Sequence, residues 1–296
     1  MGDKILEIKD LKKSYGKNEV LHNIRFILNS GEIYGLIGRN GAGKTTFMKL
    51  IAGLIKPSSG KVVFHNCSSD DIGALIENPG LYMNLSAYDN MKIKAILVGA
   101  DKNEIIELLE LVGLKEHKKT KVSKFSLGMK QRLSIALALL GSPKLLLLDE
   151  PINGLDPQGI TEIRNLIIQI NKEKNITVII SSHILSELGL ICSRFGFIEA
   201  GTFFEDISRE KLELNCCKQI IVLKDDKVGN LIEYLNESQI VYEVNENKVK
   251  IYIRQEDNET GIVSLIDNLN IVKVDMIEKK SLEEYYFEIT ENRKEF

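Results

Sequence analysis

The run Gly38-Arg39-Asn40-Gly41-Ala42-Gly43-Lys44-Thr45-Thr46 constrains this chain more than any other stretch. It fits G-x-x-x-x-G-K-[ST], with an apolar run from Ile33 to Ile37 before it and helical spacing from Phe47 to Ile55 after it. A strand that enters a helix through such a turn is built to capture an anion. Glycines remove the Cβ atoms that would hold the backbone away from a phosphate, so the amides of Gly38, Asn40, Gly41 and Gly43 can point inward at the positive end of a helix. Lys44 is expected to reach the β- and γ-phosphates of a nucleoside triphosphate. The Thr45 hydroxyl is expected to hold Mg²⁺, and Thr46 to add an α-phosphate contact.

A second feature fits the first. Leu145-Leu146-Leu147-Leu148 is wholly apolar, the pattern of a strand in the middle of a parallel sheet, and Asp149-Glu150 follows it directly. Ligands of open α/β sheets gather at the carboxyl ends of their strands, which places both carboxylates at the phosphate loop. Asp149 is suited to act on Mg²⁺ directly or through water, and Glu150 to orient or deprotonate an attacking water.

Along the rest of the chain, strands are expected over Leu6–Leu11, Val20–Leu28, Lys61–Phe64, Ile72–Ile76 and Thr177–Ile180. The first two are separated by the turn Gly16-Lys17-Asn18, with Tyr15 just before it. The period turns helical from Ser86 to about Lys119, from Ser126 to Leu140 and from Ile160 to Ile170. Alternation of this kind predicts an α/β core with a parallel sheet. Beyond about Glu210 the character shifts. Ile220–Leu223, Val228–Leu235, Val241–Val244, Val249–Ile253, Gly261–Leu269 and Ile271–Met276 read as β-α-β-β-α-β, compatible with a small ferredoxin-like unit.

Composition closes off other classes. A net charge of −3 gives no basic surface for nonspecific nucleic-acid binding. No apolar run of membrane-spanning length occurs, since Leu133–Leu148 is broken by Gly141-Ser142-Pro143-Lys144, and no apolar signal segment opens the sequence. Gly2 does not meet the lipidation pattern, because position 6 is Leu. Cys67, Cys192, Cys216 and Cys217 lack metal-ligand spacing and read as reduced thiols of a cytoplasmic protein.

Five motifs then occur in one order: Gly38 to Thr46, Phe125-Ser126-Leu127-Gly128-Met129-Lys130-Gln131, Asp149-Glu150-Pro151, Gly154-Leu155-Asp156-Pro157 and Ser181-Ser182-His183. Together they resemble the nucleotide-binding subunit of an ABC transporter over residues 4 to 210, leaving 211 to 296 as an accessory domain. The resemblance implies a P-loop ATPase domain with a parallel-sheet core, an antiparallel β subdomain and a helical subdomain. It implies a dimer, homo- or heteromeric, that sandwiches two ATP molecules. It also implies an integral membrane permease as partner, with the subunit cytoplasmic and peripheral on the inner face of the membrane. In such a dimer Ser126 and the Gly128 amide meet the γ-phosphate of the other subunit's nucleotide, and Asp156 lies at the seam. His183 contacts the γ-phosphate and holds Glu150 and water in line, and Tyr15 resembles the aromatic that stacks on adenine.

Two departures from the family pattern stand out. Leu127 and Met129 replace a glycine and a glutamine of the usual signature, while Ser126 and Gly128 are kept. After the strand Ile72–Ile76 the family has a glutamine that touches Mg²⁺ and relays to the membrane subunit, and this chain has Glu77. A carboxylate binds a hard cation more strongly than an amide oxygen but adds negative charge beside a triphosphate. Glu77, with Asn78-Pro79-Gly80-Leu81-Tyr82 and Asn84 to Asn90 following, is similar to subunits of bacitracin-resistance and lantibiotic-immunity exporters. That implies self-protection by export of peptide antibiotics. The alternatives are a generic multidrug or lipid exporter ATPase, a soluble ABC ATPase acting on ribosomes or nucleic acid, and a nucleotide-dependent regulatory module with little turnover. The tail from 211 is left open between regulation, dimer stabilisation and structural packing.

Overall fold

The computed structural model describes residues 3–77, 80–224, 226–254 and 256–291. Gly2, Asn78 and Pro79, singled out above, lie outside them, as do the last five positions of the accessory domain. The chain divides into two compact units between Ser208 and Arg209.

In the first unit, β1 (Lys4–Tyr15) and β2 (Asn18–Asn29) form an antiparallel hairpin. Gly16 turns it, with a φ of 61° that suits glycine. Then β3 (Ile33–Ile37) runs through the phosphate loop into α1 (Lys44–Ile51). Antiparallel to β1 lies β4 (Ser59–Phe64), completing a three-stranded sheet in the order β2-β1-β4. After β5 (Ile72–Leu75) come three helices, α2 (Ala87–Val98), α3 (Lys102–Leu111) and α4 (Leu127–Leu139), which pack on one another.

The continuous helical stretch expected from Ser86 to Lys119 is thus corrected to two helices and a short 3₁₀ turn, Lys115–His117. Gly99 adopts a left-handed φ of 73° and ends α2. Asp101 then starts α3 by accepting from the amides of Asn103 and Glu104 at 2.8 and 2.9 Å. Apolar periodicity continues across the break because both helices bury a face.

The chain returns as β6 (Leu145–Asp149), α5 (Pro157–Lys174), β7 (Thr177–Ser182), α6 (Leu185–Ile191), β8 (Arg194–Glu199) and β9 (Thr202–Ser208). The larger sheet has the order β5-β6-β7-β3-β8-β9, parallel through β8 with β9 antiparallel at the edge. Every residue of β3, β6 and β7 is buried, as the apolar runs at their centres demand, with polar residues only at the ends of β6 and β7.

Between the two sheets Phe26, Tyr34 and Phe47 pack with Phe203, at ring separations of 4.8 Å for Phe26–Tyr34 and 5.1 Å for Phe47–Phe203. Burying Phe47 completely contributes about 1.5–3 kcal/mol, and it fixes α1 under the loop it follows. Thr45 lies on that first turn. The core therefore positions the phosphate loop from below.

The second unit opens with α7 (Arg209–Cys216), followed by β10 (Lys218–Leu223), α8 (Val228–Glu237), β11 (Tyr242–Val244), β12 (Lys248–Ile253), α9 (Glu259–Asn268), β13 (Lys273–Ile277) and α10 (Leu282–Glu291). Its antiparallel sheet has the order β11-β12-β10-β13, which with the intervening helices is ferredoxin-like topology. Leu231 and Leu235 of α8 and Ile262 and Ile266 of α9 pack on Ile220, Val222, Val249 and Ile251. No helix among the described residues is long and apolar enough to cross a membrane.

Candidate nucleotide site

The site is assembled where β3, β6 and β7 end. Gly43 has a φ of 107°, a conformation L side chains avoid, and a Cβ there would lie 2.7 Å from Leu21 Cδ2. A Cβ on Gly38 would strike the Ile198 carbonyl. The loop is braced behind, where Ala42 O accepts from Gly201 N at 3.0 Å and Gly201 O from His22 N at 2.8 Å. Phe47 is the first residue whose amide is answered within α1, by Gly43 O at 2.9 Å. The amides of Gly43, Lys44, Thr45 and Thr46 therefore have no protein acceptor among the described residues, the ordinary condition of a helix N-terminus that can receive an anion.

Lys44 is only 6% exposed and donates to Gly38 O at 2.7 Å, with Arg39 O at 3.4 Å and Glu150 Oε1 at 3.5 Å. A buried ammonium is tolerable only with such partners. Beside it the Thr45 hydroxyl donates to Asp149 Oδ2 at 2.7 Å. Asp149, 8% exposed, also accepts from Ser181 Oγ at 2.6 Å. That serine oxygen in turn accepts from Glu150 N at 3.0 Å, so one buried hydroxyl ties the two carboxylate residues together.

Glu150 sits at φ 50°, a left-handed conformation for a residue with a full side chain. His183 Nδ1 lies 2.7 Å from Glu150 Oε2, and Glu150 Oε1 faces Lys44. The strained backbone thus aims the carboxylate between an ammonium and an imidazole, both at the mouth of the loop.

Glu77 also has a left-handed φ, 60°, just past β5. Its carboxylate pairs with Lys49 of α1 at 2.6 Å and not with Thr45 or Asp149. Ser126 accepts from Met129 N at 3.2 Å as the N-cap of α4, and Gly128 lies in the first turn of that helix. Asp156 caps α5 by accepting from Gly159 N at 3.1 Å. Leu127 is half exposed on the surface beside Gly154. Tyr15 is 49% exposed at the end of β1, with Lys13 Nζ 4.8 Å from its ring centre. Asn40 and Gly41 are exposed at the crest of the loop.

The structure therefore brings together the phosphate loop, Asp149, Glu150 and His183. It leaves Tyr15 exposed, Ser126 and Asp156 capping their own helices and Gly128 in the first turn of α4. Ser181 and Lys49 are the residues that the sequence reading did not assign. Ser181 stood in a recognised motif, and Lys49 lies four residues after Thr45 on the same helix face.

A divalent cation fits the donors present. A hydroxyl and a carboxylate, both hard oxygen donors, meet 2.7 Å apart at the loop. No group of three or more His, Cys, Asp or Glu placed to hold a metal exists among the described residues. The Thr45 and Asp149 oxygens match what Mg²⁺ uses, one or two protein oxygens with water and substrate phosphate completing its shell.

Known proteins resemble this chain in sequence and fold. A sequence profile described as ABC transporter matches residues 21–153. The lantibiotic transport ATP-binding protein SrtF of Streptococcus pyogenes is 50% identical over 202 residues, covering 67% of this chain and 88% of its own. The bacitracin transport ATP-binding protein BcrA of Bacillus licheniformis is 40% identical over 96% of this chain and 97% of its own. Among solved structures, cbiO1 of Clostridium perfringens, part of the ABC transporter complex cbiONQ, superposes with a TM-score of 0.65 at 29% identity. It covers 71% of this chain and 90% of its own.

Proposed function

The chain belongs to the ATP-binding proteins of ABC transporters, and from that premise we propose that it powers export of a peptide antibiotic of the bacitracin or lantibiotic type through a separate membrane permease. ATP hydrolysis is the activity of the family. The antibiotic reading is carried by one observation, that identity to a bacitracin transport ATP-binding protein runs through 96% of the chain and does not stop at the cassette. The accessory unit is therefore shared with that relative as well.

In this reading the amides of Gly43 to Thr46 receive the phosphates, and Lys44 Nζ turns from its loop carbonyls to the β- and γ-oxygens. Mg²⁺, when bound, would supply charge neutralisation there, held on the protein side by Thr45 Oγ1 and Asp149. Glu150 gives Oε2 to His183 and leaves Oε1 toward the phosphate side. Oε1 is thus the atom that orients the attacking water and takes its proton as the oxygen bonds to the γ-phosphorus. The bond to the β–γ bridging oxygen breaks, and ADP and inorganic phosphate leave. His183 fixes the Glu150 rotamer, so the base is held in place before the water arrives.

Ser126 and Gly128 stand at the exposed N-terminus of α4, which suits completion of a second subunit's site across an ATP-bound dimer. Asp156, capping α5 near that surface, would lie at the same seam, and Tyr15 would stack on adenine. The subunit would then sit on the inner face of the membrane through its permease, as a homodimer or with a related ATPase subunit.

A tagged Glu150→Gln chain, expressed in its native cells and extracted from membranes with ATP and Mg²⁺, tests the reading. Copurification of a small polytopic membrane protein, together with bacitracin or lantibiotic hypersensitivity on loss of the chain, is the expected result. Ribosomal or nucleic-acid partners with nothing membrane-embedded would overturn it.

A further inference from the structure

Glu77 is the residue whose surroundings the nucleotide chemistry leaves unexplained. It holds a left-handed backbone (φ 60°) at the end of β5, and its carboxylate is tied to Lys49 Nζ at 2.6 Å. Downstream, Asn90 is 3% exposed and grips both backbone groups of Tyr82, accepting from Tyr82 N at 2.8 Å and donating to Tyr82 O at 3.1 Å. Glu77 thus follows β5 directly, and Tyr82 is fixed by Asn90.

Lys49 and Thr45 are separated by four residues on α1, so they lie on one face, about 6 Å apart along the axis. The tether therefore ties Glu77 to the helix that carries Thr45, whose hydroxyl bonds Asp149 at 2.7 Å.

Resting on that reading of Thr45 and Asp149, we propose that Lys49 is a positioning residue for Glu77, and that this ion pair sets how strongly nucleotide binding depends on the divalent cation. With Lys49 present, the extra negative charge is cancelled beside the triphosphate, and the carboxylate is held off the metal. Without Lys49, two effects act in the same direction. Unneutralised Glu77 repels metal-free nucleotide, and the freed carboxylate joins the oxygen shell of a bound cation.

The test uses the full chain and a non-hydrolysable ATP analogue, titrated with Mg²⁺ and again with EDTA, taking the ratio of the two dissociation constants. Lys49→Met should raise the ratio about two- to fivefold, the range expected from losing an exposed ion pair. In the Glu77→Gln background the same substitution should leave the ratio unchanged. Lys49→Arg, which keeps the charge, should restore the native value, and thermal unfolding of each variant separates these effects from loss of fold. An equal change in both backgrounds, or no change in either, would overturn the proposal while leaving the metal site standing. A native chain whose analogue affinity ignores Mg²⁺ would overturn the reading of Thr45 and Asp149 as well.

Discussion

Ser181→Ala removes a hydroxyl that is fully buried and makes two bonds at once, to Asp149 Oδ1 at 2.6 Å and from Glu150 N at 3.0 Å. The first is charge-assisted and lies on a carboxylate only 8% exposed, where water has little access to replace it. Hydrogen bonds to charged groups contribute about 1.5–3 kcal/mol. The second loss is smaller, because Glu150 N keeps the Ser181 carbonyl at 3.2 Å. The sum is about 2–3 kcal/mol, which for a unit of this size lowers the melting temperature by about 4–12 °C. Calorimetry of the full chain reads it directly. Ser182→Ala is the internal control. That neighbour is also buried, but its hydroxyl accepts only from the Ile184 amide at 2.9 Å, so a loss of about 1 kcal/mol is expected. Turnover should fall with Ser181→Ala, since both carboxylate residues lose a shared anchor, and should hold with Ser182→Ala. Equal melting temperatures for the two variants, with turnover unchanged in both, would refute the assignment of Ser181 as the link between Asp149 and Glu150.

Three further outcomes are expected. Glu150→Gln should lower ATP turnover by about 10²- to 10⁴-fold with nucleotide affinity preserved, as measured by phosphate release and by calorimetric titration. Gly43→Ala places a Cβ on a backbone at φ 107° and 2.7 Å from Leu21 Cδ2. It should cost about 1–3 kcal/mol in denaturant unfolding and abolish nucleotide binding, and normal affinity would argue against the loop geometry. Burial pushes the Cys216 thiol up to about 11. In native protein at pH 8 only about a thousandth of it is thiolate, so alkylation should be slow and accelerate about tenfold per pH unit up to that value. Labelling at the rate of an unhindered free thiol would contradict this.

How far the sequence could be read is best judged at individual residues. Strands β3, β6 and β7 were legible because burial on both faces leaves an apolar run with nothing else to explain it. The hairpin of β11 and β12 was legible in the paired runs Val241–Val244 and Val249–Ile253. Strand β8 was not, because Arg194 and Glu199 at its ends mask the buried Phe195 and Phe197. Arg194 is held there by two 2.6 Å bonds to Asp206 on the neighbouring β9 and by the Ile27 carbonyl at 2.9 Å, partners that local pattern cannot supply. Helix α6 was missed for its brevity. The break between α2 and α3 had a signal in Gly99 and Asp101 that the continuing apolar period concealed.

At the site the division follows the same physics. Residue type and spacing announced Lys44, Thr45, Asp149 and Glu150, because phosphate capture and water activation need those groups at one sheet edge, and the resemblance to ABC transporter subunits added His183. Sequence spacing is silent about what aims them. Glu150 points correctly because its backbone is forced to φ 50° between β6 and the Ser181 hydroxyl of β7, residues 31 positions apart in sequence. Glu77 is restrained by Lys49, 28 positions away, across the gap between β5 and α1. Both depend on parallel strands and a helix meeting in three dimensions. A change at Ser181 or Lys49 should therefore alter the chemistry of the site without altering any residue assigned to react there, which separates the groups that react from those that hold them in place.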